Sequence, residues 1–112
     1  MIINDIIKAV VKVKSIKINE NDYNIVKDDD NIINVEELSE MITDYFDDFD
    51  YILGDVAYNH LRLKGFNKKD NPHFNKINDY NKIDEYISNK CAYGCKYFII
   101  EKNNKNDNKK SV

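Results

Sequence analysis

The apolar and polar residues alternate over residues 15–27 in the pattern of a β-hairpin. Successive side chains of a strand point to opposite faces of the sheet, so a strand with one buried face has an apolar residue at every second position. Ile16 and Ile18 follow this rule. Residues 19–22 are polar types that favour turns, and residues 23–27 resume as a second strand. The sequence therefore predicts two paired strands near the start of the chain.

Two later segments have apolar residues at helical spacing. Over residues 35–48 they recur every three or four positions, which places them on one face of a helix. Asn34 is a favourable N-cap for this helix, but three aspartates lie near its C-terminal end, where the helix dipole disfavours negative charge. The same spacing over residues 80–91 predicts a second helix, and Gly94 is placed to end it in the left-handed conformation.

A second hairpin is predicted over residues 51–66, and its register has two solutions. The apolar residues of its strands share one face only if the turn holds an even number of residues. A four-residue turn, 57–60, sets Asp55 opposite Arg62, whereas a two-residue turn sets Asp55 opposite Lys64. In both solutions the other face mixes aromatic and charged side chains. That face carries Tyr51, Leu53, Asp55, Arg62, Lys64 and Phe66.

The length and the element order predict one α+β domain. A chain of 112 residues accommodates a single core. A last apolar strand over residues 96–102 is dense enough in apolar residues to lie centrally in a mainly antiparallel sheet, which the two helices pack against. We assign residues 15–102 to this domain, residues 1–14 to an N-terminal extension with a weak helical pattern, and residues 103–112 to a disordered tail rich in Asn and Lys.

Charge and composition limit the functional classes. The formal net charge of −3 gives no strong positive field that would draw the whole protein to nucleic acid or membrane. No run of apolar residues approaches the roughly 18 that a membrane-spanning helix needs. The apolar N-terminal run contains Asp5 and Lys8 and lacks a small-residue cleavage site, so it does not resemble a signal peptide. We expect a cytoplasmic protein that does not contact a membrane.

Two short motifs resemble those of a known family. Residues 50–55 (Asp-Tyr-Ile-Leu-Gly-Asp) with residues 61–66 (Leu-Arg-Leu-Lys-Gly-Phe) resemble the central motif of the YutD-like proteins, and residues 91–98 resemble that family's second signature. The strand that begins at Tyr23 also matches the family, and the resemblance covers residues 16–102. All three glycines of the chain lie inside the two motifs. They are Gly54, Gly65 and Gly94.

The resemblance has one departure and limited implications. The family commonly has a tryptophan and a glycine in the turn after the Gly-Asp pair, where this chain has residues 56–59 (Val-Ala-Tyr-Asn). Membership implies a small cytosolic α+β domain of Gram-positive-type bacteria and their relatives. It carries over no established activity and no catalytic residue.

The two cysteines admit three interpretations. As metal ligands, Cys91 and Cys95 would need His60 and His73 to complete a four-ligand set, and the spacings match no familiar zinc module. As a redox pair, their three-residue gap differs from the two-residue gap of thioredoxin-like sites. The favoured interpretation is that both pack as small apolar residues. We therefore predict no metal and no cofactor.

Catalysis is a second, less favoured hypothesis. Asp55, His60 and Cys91 could supply a carboxylate, an imidazole and a thiol for acid–base or nucleophilic chemistry. No glycine-rich phosphate loop, nucleophile elbow or metalloprotease motif accompanies them. We expect His60 to be a solvated residue of the turn and the protein to have no enzymatic activity.

Binding is the favoured hypothesis. Arg62 is the only arginine in a chain that otherwise uses lysine, which suggests a need for a planar guanidinium. One partner class is protein, for an interaction or regulatory module; another is nucleic acid, with the lysine-rich tail adding affinity. The same face could instead be buried under a helix. The oligomeric state stays open. The candidate binding surface comprises Tyr51, Asp55, Tyr58, Arg62, Lys64 and Phe66.

Overall fold

A computed structural model describes residues 14–90 and 94–103 of the chain. The expected N-terminal extension and tail fall almost entirely outside these ranges, and so does Cys91. None of the helices in the described ranges is long and apolar enough to cross a membrane. The elements, in chain order, are β1 (Ser15–Ile18), β2 (Asn21–Lys27), α1 (Val35–Met41), a 3₁₀ helix (Asp44–Asp48), β3 (Tyr51–Ala57), β4 (His60–Phe66), a second 3₁₀ helix (Tyr80–Lys82), α2 (Ile83–Lys90) and β5 (Tyr97–Lys102).

The five strands form one antiparallel sheet in the order β1-β2-β5-β3-β4. The last strand in sequence is therefore the central strand, as its density of apolar residues predicts. Both predicted hairpins are present, and the predicted α+β class with a mainly antiparallel sheet is confirmed. The two edges of the sheet are β1, with four residues, and β4, with seven.

Each face of the sheet contributes to a separate apolar cluster. Adjacent residues of a strand point to opposite faces, so Ile52 and Leu53 belong to different clusters. The first cluster packs under α1 and the first 3₁₀ helix, and its buried members are Ile18, Tyr23, Leu38, Ile42, Phe46, Ile52, Phe98 and Ile100. The second packs under α2, and its buried members are Tyr51, Leu53, Phe66, Ile83 and Ile99.

The helix predicted over residues 35–48 is divided into two pieces. It begins as expected, with the Asn34 side chain accepting a hydrogen bond from the Glu37 backbone N–H (3.0 Å). It then breaks at Ile42, whose backbone is extended. The Asn19 side-chain amide, from the β1–β2 turn, donates to the Ile42 carbonyl (2.9 Å) at this break. An apolar spacing that suits one continuous helix also suits two shorter ones, so the sequence pattern did not distinguish them.

Two of the three motif glycines allow an aromatic ring to lie directly on the sheet. A Cβ atom at Gly54 would come within 2.3 Å of Phe98 Cζ, and one at Gly65 within 2.2 Å of Phe49 Cγ. Both distances are far shorter than a van der Waals contact, so any larger residue would displace a ring. These glycines hold the β3–β4 hairpin close to the first apolar cluster.

Candidate functional site

The turn between β3 and β4 sets the geometry of the candidate surface. It has two residues, Tyr58 and Asn59, both with positive φ (53° and 65°), as a type I′ hairpin turn requires. This turn places Asp55 opposite Arg62. The observed register is the one predicted for a four-residue turn. The turn itself has two residues because Ala57 and His60 also pair. The alternative that pairs Asp55 with Lys64 is wrong.

Asp55 and Arg62 form a bidentate ion pair across the hairpin. Arg62 Nε donates to Asp55 Oδ1 (3.2 Å), and Nη2 donates to Oδ2. Asp55 is buried, whereas half of the Arg62 side chain is exposed. The hydrogen bond and the charge of Asp55 raise the pKa of Arg62. The guanidinium is therefore held in one orientation by an internal carboxylate while part of it faces solvent.

Tyr51 and Phe66 belong to the core rather than to a binding surface. Their exposed fractions are 7% and 1%. Tyr51 stacks on Tyr80 with ring centroids 3.6 Å apart, and Phe66 meets the edge of Tyr86 at 5.6 Å. Burial is the largest cause of a raised pKa at Tyr51. The face predicted to display aromatic rings is covered at this end of the hairpin by α2 and the 3₁₀ helix before it.

Lys64 lies on the rings of this covered region. Its ammonium is 5.1 Å from the centroid of Phe66 and 5.5 Å from that of Tyr86. Partial burial lowers the pKa of Lys64. Among the residues that the structure describes, Lys64 forms no ion pair with a carboxylate. It is a partly desolvated cation whose charge the aromatic faces offset only in part.

The outer edge of β4 has no paired strand in the described ranges, and the strand is buried only at its end, at Gly65 and Phe66. The Val56 N–H donates to the Lys96 carbonyl (3.1 Å), so even-numbered residues of β3 face β5 and odd-numbered ones face β4. By the register, the backbone groups of Leu61, Leu63 and Gly65 point away from the sheet. No backbone partner for these outward groups occurs within residues 14–90 and 94–103.

The chain itself occupies the next position along this edge. Asn67 N–H donates to the Asn78 carbonyl (2.7 Å), and Tyr80 N–H donates to the Asn67 carbonyl (2.9 Å). These bonds form a parallel bridge between Asn67 and Asp79. This edge of the sheet can therefore pair with an extended segment. Within the described ranges, such pairing occurs just past the C-terminal end of β4, at Asn67.

Large exposed apolar side chains lie beside β4. Tyr58 is 96% exposed at the turn, Ile77 is 78% exposed and Tyr45 is 70% exposed. Tyr45 and Ile77 flank an open groove of about 200 Å³ along the strand. The groove is lined by Tyr45, Phe49, Leu63, Lys64, Gly65, Asn75, Ile77 and Asn78.

A network of asparagines holds the loop that carries Ile77. Asn67 is fully buried, and its Oδ1 accepts from the Asp50 N–H (2.8 Å) and from Asn71 Nδ2 (3.0 Å). Asn78 Nδ2 donates to the His73 carbonyl (3.0 Å). This network was not predicted, because asparagine is abundant throughout the chain and no single one stands out. The spacing of three or four residues between Asn67, Asn71, Asn75 and Asn78 is the feature that could have indicated it.

The described ranges contain no group of three or more His, Cys, Asp or Glu side chains that could hold a metal ion. His60 is exposed at the start of β4, and the carboxylate of Asp55 is engaged by Arg62. His73 Nε2 lies 3.6 Å from Asp48 Oδ1. Cys95 is half-buried and takes part in a disulfide, so the interpretation of it as a small apolar residue with a free thiol is wrong.

The sequence and the fold match the same family. The family described as "Putative antitoxin YutD-like" matches residues 17–101, which extend from β1 to β5. The chain belongs to the YutD-like family. The "Putative antitoxin YutD" of Bacillus subtilis (strain 168) is 36% identical over 69 residues, which are 62% of this chain and 76% of that protein.

A solved structure agrees with this assignment. The solution NMR structure of B. subtilis yutD superimposes with a TM-score of 0.64 at 31% identity, covering 80% of this chain and 82% of that one. The YutD-like match includes both strands of the β3–β4 hairpin and both sides of the groove beside it. The candidate surface is thus part of the family domain.

Proposed function

We propose that this YutD-like chain is a protein-binding regulatory module of the antitoxin kind. An antitoxin neutralises a toxin, most simply by holding it in a complex, and this role comes from the description of the family and of the B. subtilis relative. The interface is the β4-edge surface, which comprises the outer edge of β4 and the side chains of Tyr45, Tyr58 and Ile77. The expected cytoplasmic location stays a prediction.

One observation carries this proposal: the most exposed large apolar side chains lie beside the longer open edge of the sheet. Tyr58, Ile77 and Tyr45 have exposed fractions of 96%, 78% and 70%, compared with 46% for Val26 and 40% for Val35 elsewhere. Exposed apolar groups beside a groove are typical of protein interfaces, and tyrosine is over-represented among residues that dominate binding.

The structure favours protein over nucleic acid as the partner. A surface that stacks bases needs exposed aromatic faces beside its cations. Tyr51 and Phe66 are buried under α2, and Lys64 rests on rings rather than standing clear of them. Of the candidate residues, only Tyr58 and Arg62 provide an exposed aromatic ring and an exposed cation.

Affinity capture of the tagged full-length chain from its host tests the interface. Three forms are compared: the wild type, the double variant Tyr45→Ser/Ile77→Ser, and the control Val26→Ser/Val35→Ser, which removes exposed apolar groups away from β4. We expect the wild type and the control to retain the same stoichiometric protein, and the Tyr45/Ile77 variant to lose it by about tenfold or more. Equal retention by all three forms, or retention of RNA that ribonuclease releases, contradicts the proposal.

A growth measurement tests the antitoxin role separately. Depletion of the chain should slow growth of the host, and deletion of the captured partner should restore it. Growth that stays slow after the partner is deleted would exclude neutralisation of a toxin, while leaving protein binding intact.

A further inference from the structure

We propose that the partner binds by adding a β-strand to the outer edge of β4, and that this strand alternates carboxylate with apolar side chains. This inference rests on the proposed protein-binding function and specifies how the β4-edge surface is used. It follows from the open backbone groups of β4, from the charges beside them and from the groove that borders them.

The backbone of β4 is ready to receive a strand. Leu61 and Leu63 are partly exposed, and their outward N–H and C=O groups have no backbone partner in the described ranges. Gly65 is buried, so the accessible part of the edge ends before it. Asn67, next along the same edge, already pairs with residues 78–80 of the chain. A guest strand would continue a line of pairing that the protein itself begins. Such main-chain hydrogen bonds provide affinity, while alternate side chains provide specificity.

Basic side chains on β4 determine the charge of the guest. His60, Arg62 and Lys64 alternate along one face of the strand. Arg62 is already paired with Asp55, so Lys64 carries the unbalanced positive charge of this face. In a paired strand, the guest residues opposite these positions project to the same face, where opposite charges stabilise the pairing. Lys64 has no carboxylate partner among the described residues, and its ammonium is partly buried on Phe66 and Tyr86. A carboxylate on the guest would supply the missing countercharge.

The other face of the guest meets apolar surface. Leu63 and Gly65 line the groove, whose rim includes the exposed side chains of Tyr45 and Ile77. Guest residues that alternate with the carboxylates project toward this side, because strand side chains alternate between faces. Apolar residues at these positions would remove Tyr45 and Ile77 from water.

The same charges disfavour a second copy of this chain as the guest. In an antiparallel pairing of two β4 edges centred on Leu63, Lys64 of one copy lies opposite Arg62 of the other, and no carboxylate is supplied to Lys64. Like charges directly opposite each other destabilise a strand pair, and edge cations are a common protection against self-association. The β4 edge therefore favours an acidic strand over a second copy of this chain.

Two peptide probes test this inference on the full-length chain by NMR. One synthetic peptide alternates glutamate and valine; the other has the same length and alternates lysine and valine. In the free protein, we expect the amides of Leu61 and Leu63 to exchange with solvent faster than the inward amides of Arg62 and Lys64. The glutamate peptide should then protect these two outward amides, and the lysine peptide should not.

A matched pair of variants separates backbone pairing from side-chain contact. Leu63→Pro removes an outward N–H without removing a bond to β3, whereas Leu63→Ala shortens the side chain and keeps the N–H. Binding of the glutamate peptide should weaken by about tenfold or more in Leu63→Pro, and by less in Leu63→Ala.

Four results would overturn strand addition. They are equal binding of the two peptides, no binding of either at millimolar concentration, unchanged binding by Leu63→Pro, and outward amides that are already protected in the free chain. If any of these occurs while the Tyr45→Ser/Ile77→Ser variant still loses its protein partner, then the β4-edge surface binds protein by another mode and the proposed function stands.

Discussion

At the scale of single residues, the hydroxyl of Tyr23 is a buried polar group without a hydrogen-bond partner in the described ranges. The side chain is 1% exposed. Burial, with a smaller contribution from the charge of Asp47, raises the pKa of Tyr23 to about 12. A buried polar group without a partner costs stability, so this position is not optimised for the fold.

Replacement of Tyr23 by Phe should therefore stabilise the protein. We expect Tyr23→Phe to raise the free energy of unfolding by about 1 kcal/mol at pH 8, because it removes the unpaired hydroxyl. Tyr23 ionises more readily in the unfolded chain than in the folded protein. Its ionisation therefore leaves the free energy of unfolding unchanged below pH 10 and lowers it as pH rises toward 12. At pH 11 the wild type should have lost about 1.4 kcal/mol more than the variant. Urea unfolding at both pH values measures this; equal alkaline losses would contradict it.

Gly54 provides a second residue-scale prediction. Gly54→Ala should lower the free energy of unfolding by about 1–3 kcal/mol, because the added methyl group overlaps the buried ring of Phe98. The cost should be smaller when Phe98→Leu is also present, since the smaller side chain leaves room. A double-mutant cycle by urea unfolding measures the difference. The same cost in both backgrounds would show that contact with this ring is not the reason for glycine here.

Sequence reasoning reached the correct pairing of Asp55 with Arg62 but placed two neighbours wrongly. The alternation of apolar residues along the two strands determines which side chains share a face. It correctly placed Tyr51 and Phe66 on the same face as Arg62. This alternation does not determine how far a helix extends over that face. Because α2 covers one end of the hairpin, Tyr51 and Phe66 are buried while Arg62 is half-exposed.

At the scale of elements, contacts distant in sequence decide where α1 ends. The Asn19 amide donates to the carbonyls of Ser39 (3.3 Å) and Ile42 (2.9 Å), which lie at the C-terminal end of α1. Ile42 then turns into the first apolar cluster at 4% exposure. The apolar period of the sequence locates the helical segment. It does not reveal a cap that comes from another element.

The cap can be separated from the backbone conformation at Asn19, whose φ is 58°. Asn19→Gly keeps easy access to positive φ and removes the amide, so we expect a loss of about 1 kcal/mol in the free energy of unfolding. Asn19→Ala also removes that access and should cost about 1 kcal/mol more. Thermal or urea unfolding of both variants tests this. A glycine variant as stable as the wild type would show that the amide does not stabilise the end of α1.

At the scale of the whole molecule, helices pack on both faces of the sheet, and a strand of another chain can pair with it only at its two edges. The β1 edge has only four residues, which limits pairing with another chain. The β4 edge has seven residues and carries Arg62 and Lys64 on one face. The sequence predicted the hairpins and the central position of β5. It did not predict Tyr45 and Ile77 beside β4, because their positions depend on the break in the helix and on the asparagine network of the loop.

The most direct test of this account is amide hydrogen exchange of the full-length chain, alone and in complex with the protein that it captures from its host. We predict added protection over β4 and the groove segments that contain Tyr45 and Ile77, with no change in β1. Protection confined to the β1–β2 hairpin, or to no segment of the described sheet, would contradict the assignment of the β4-edge surface as the interface.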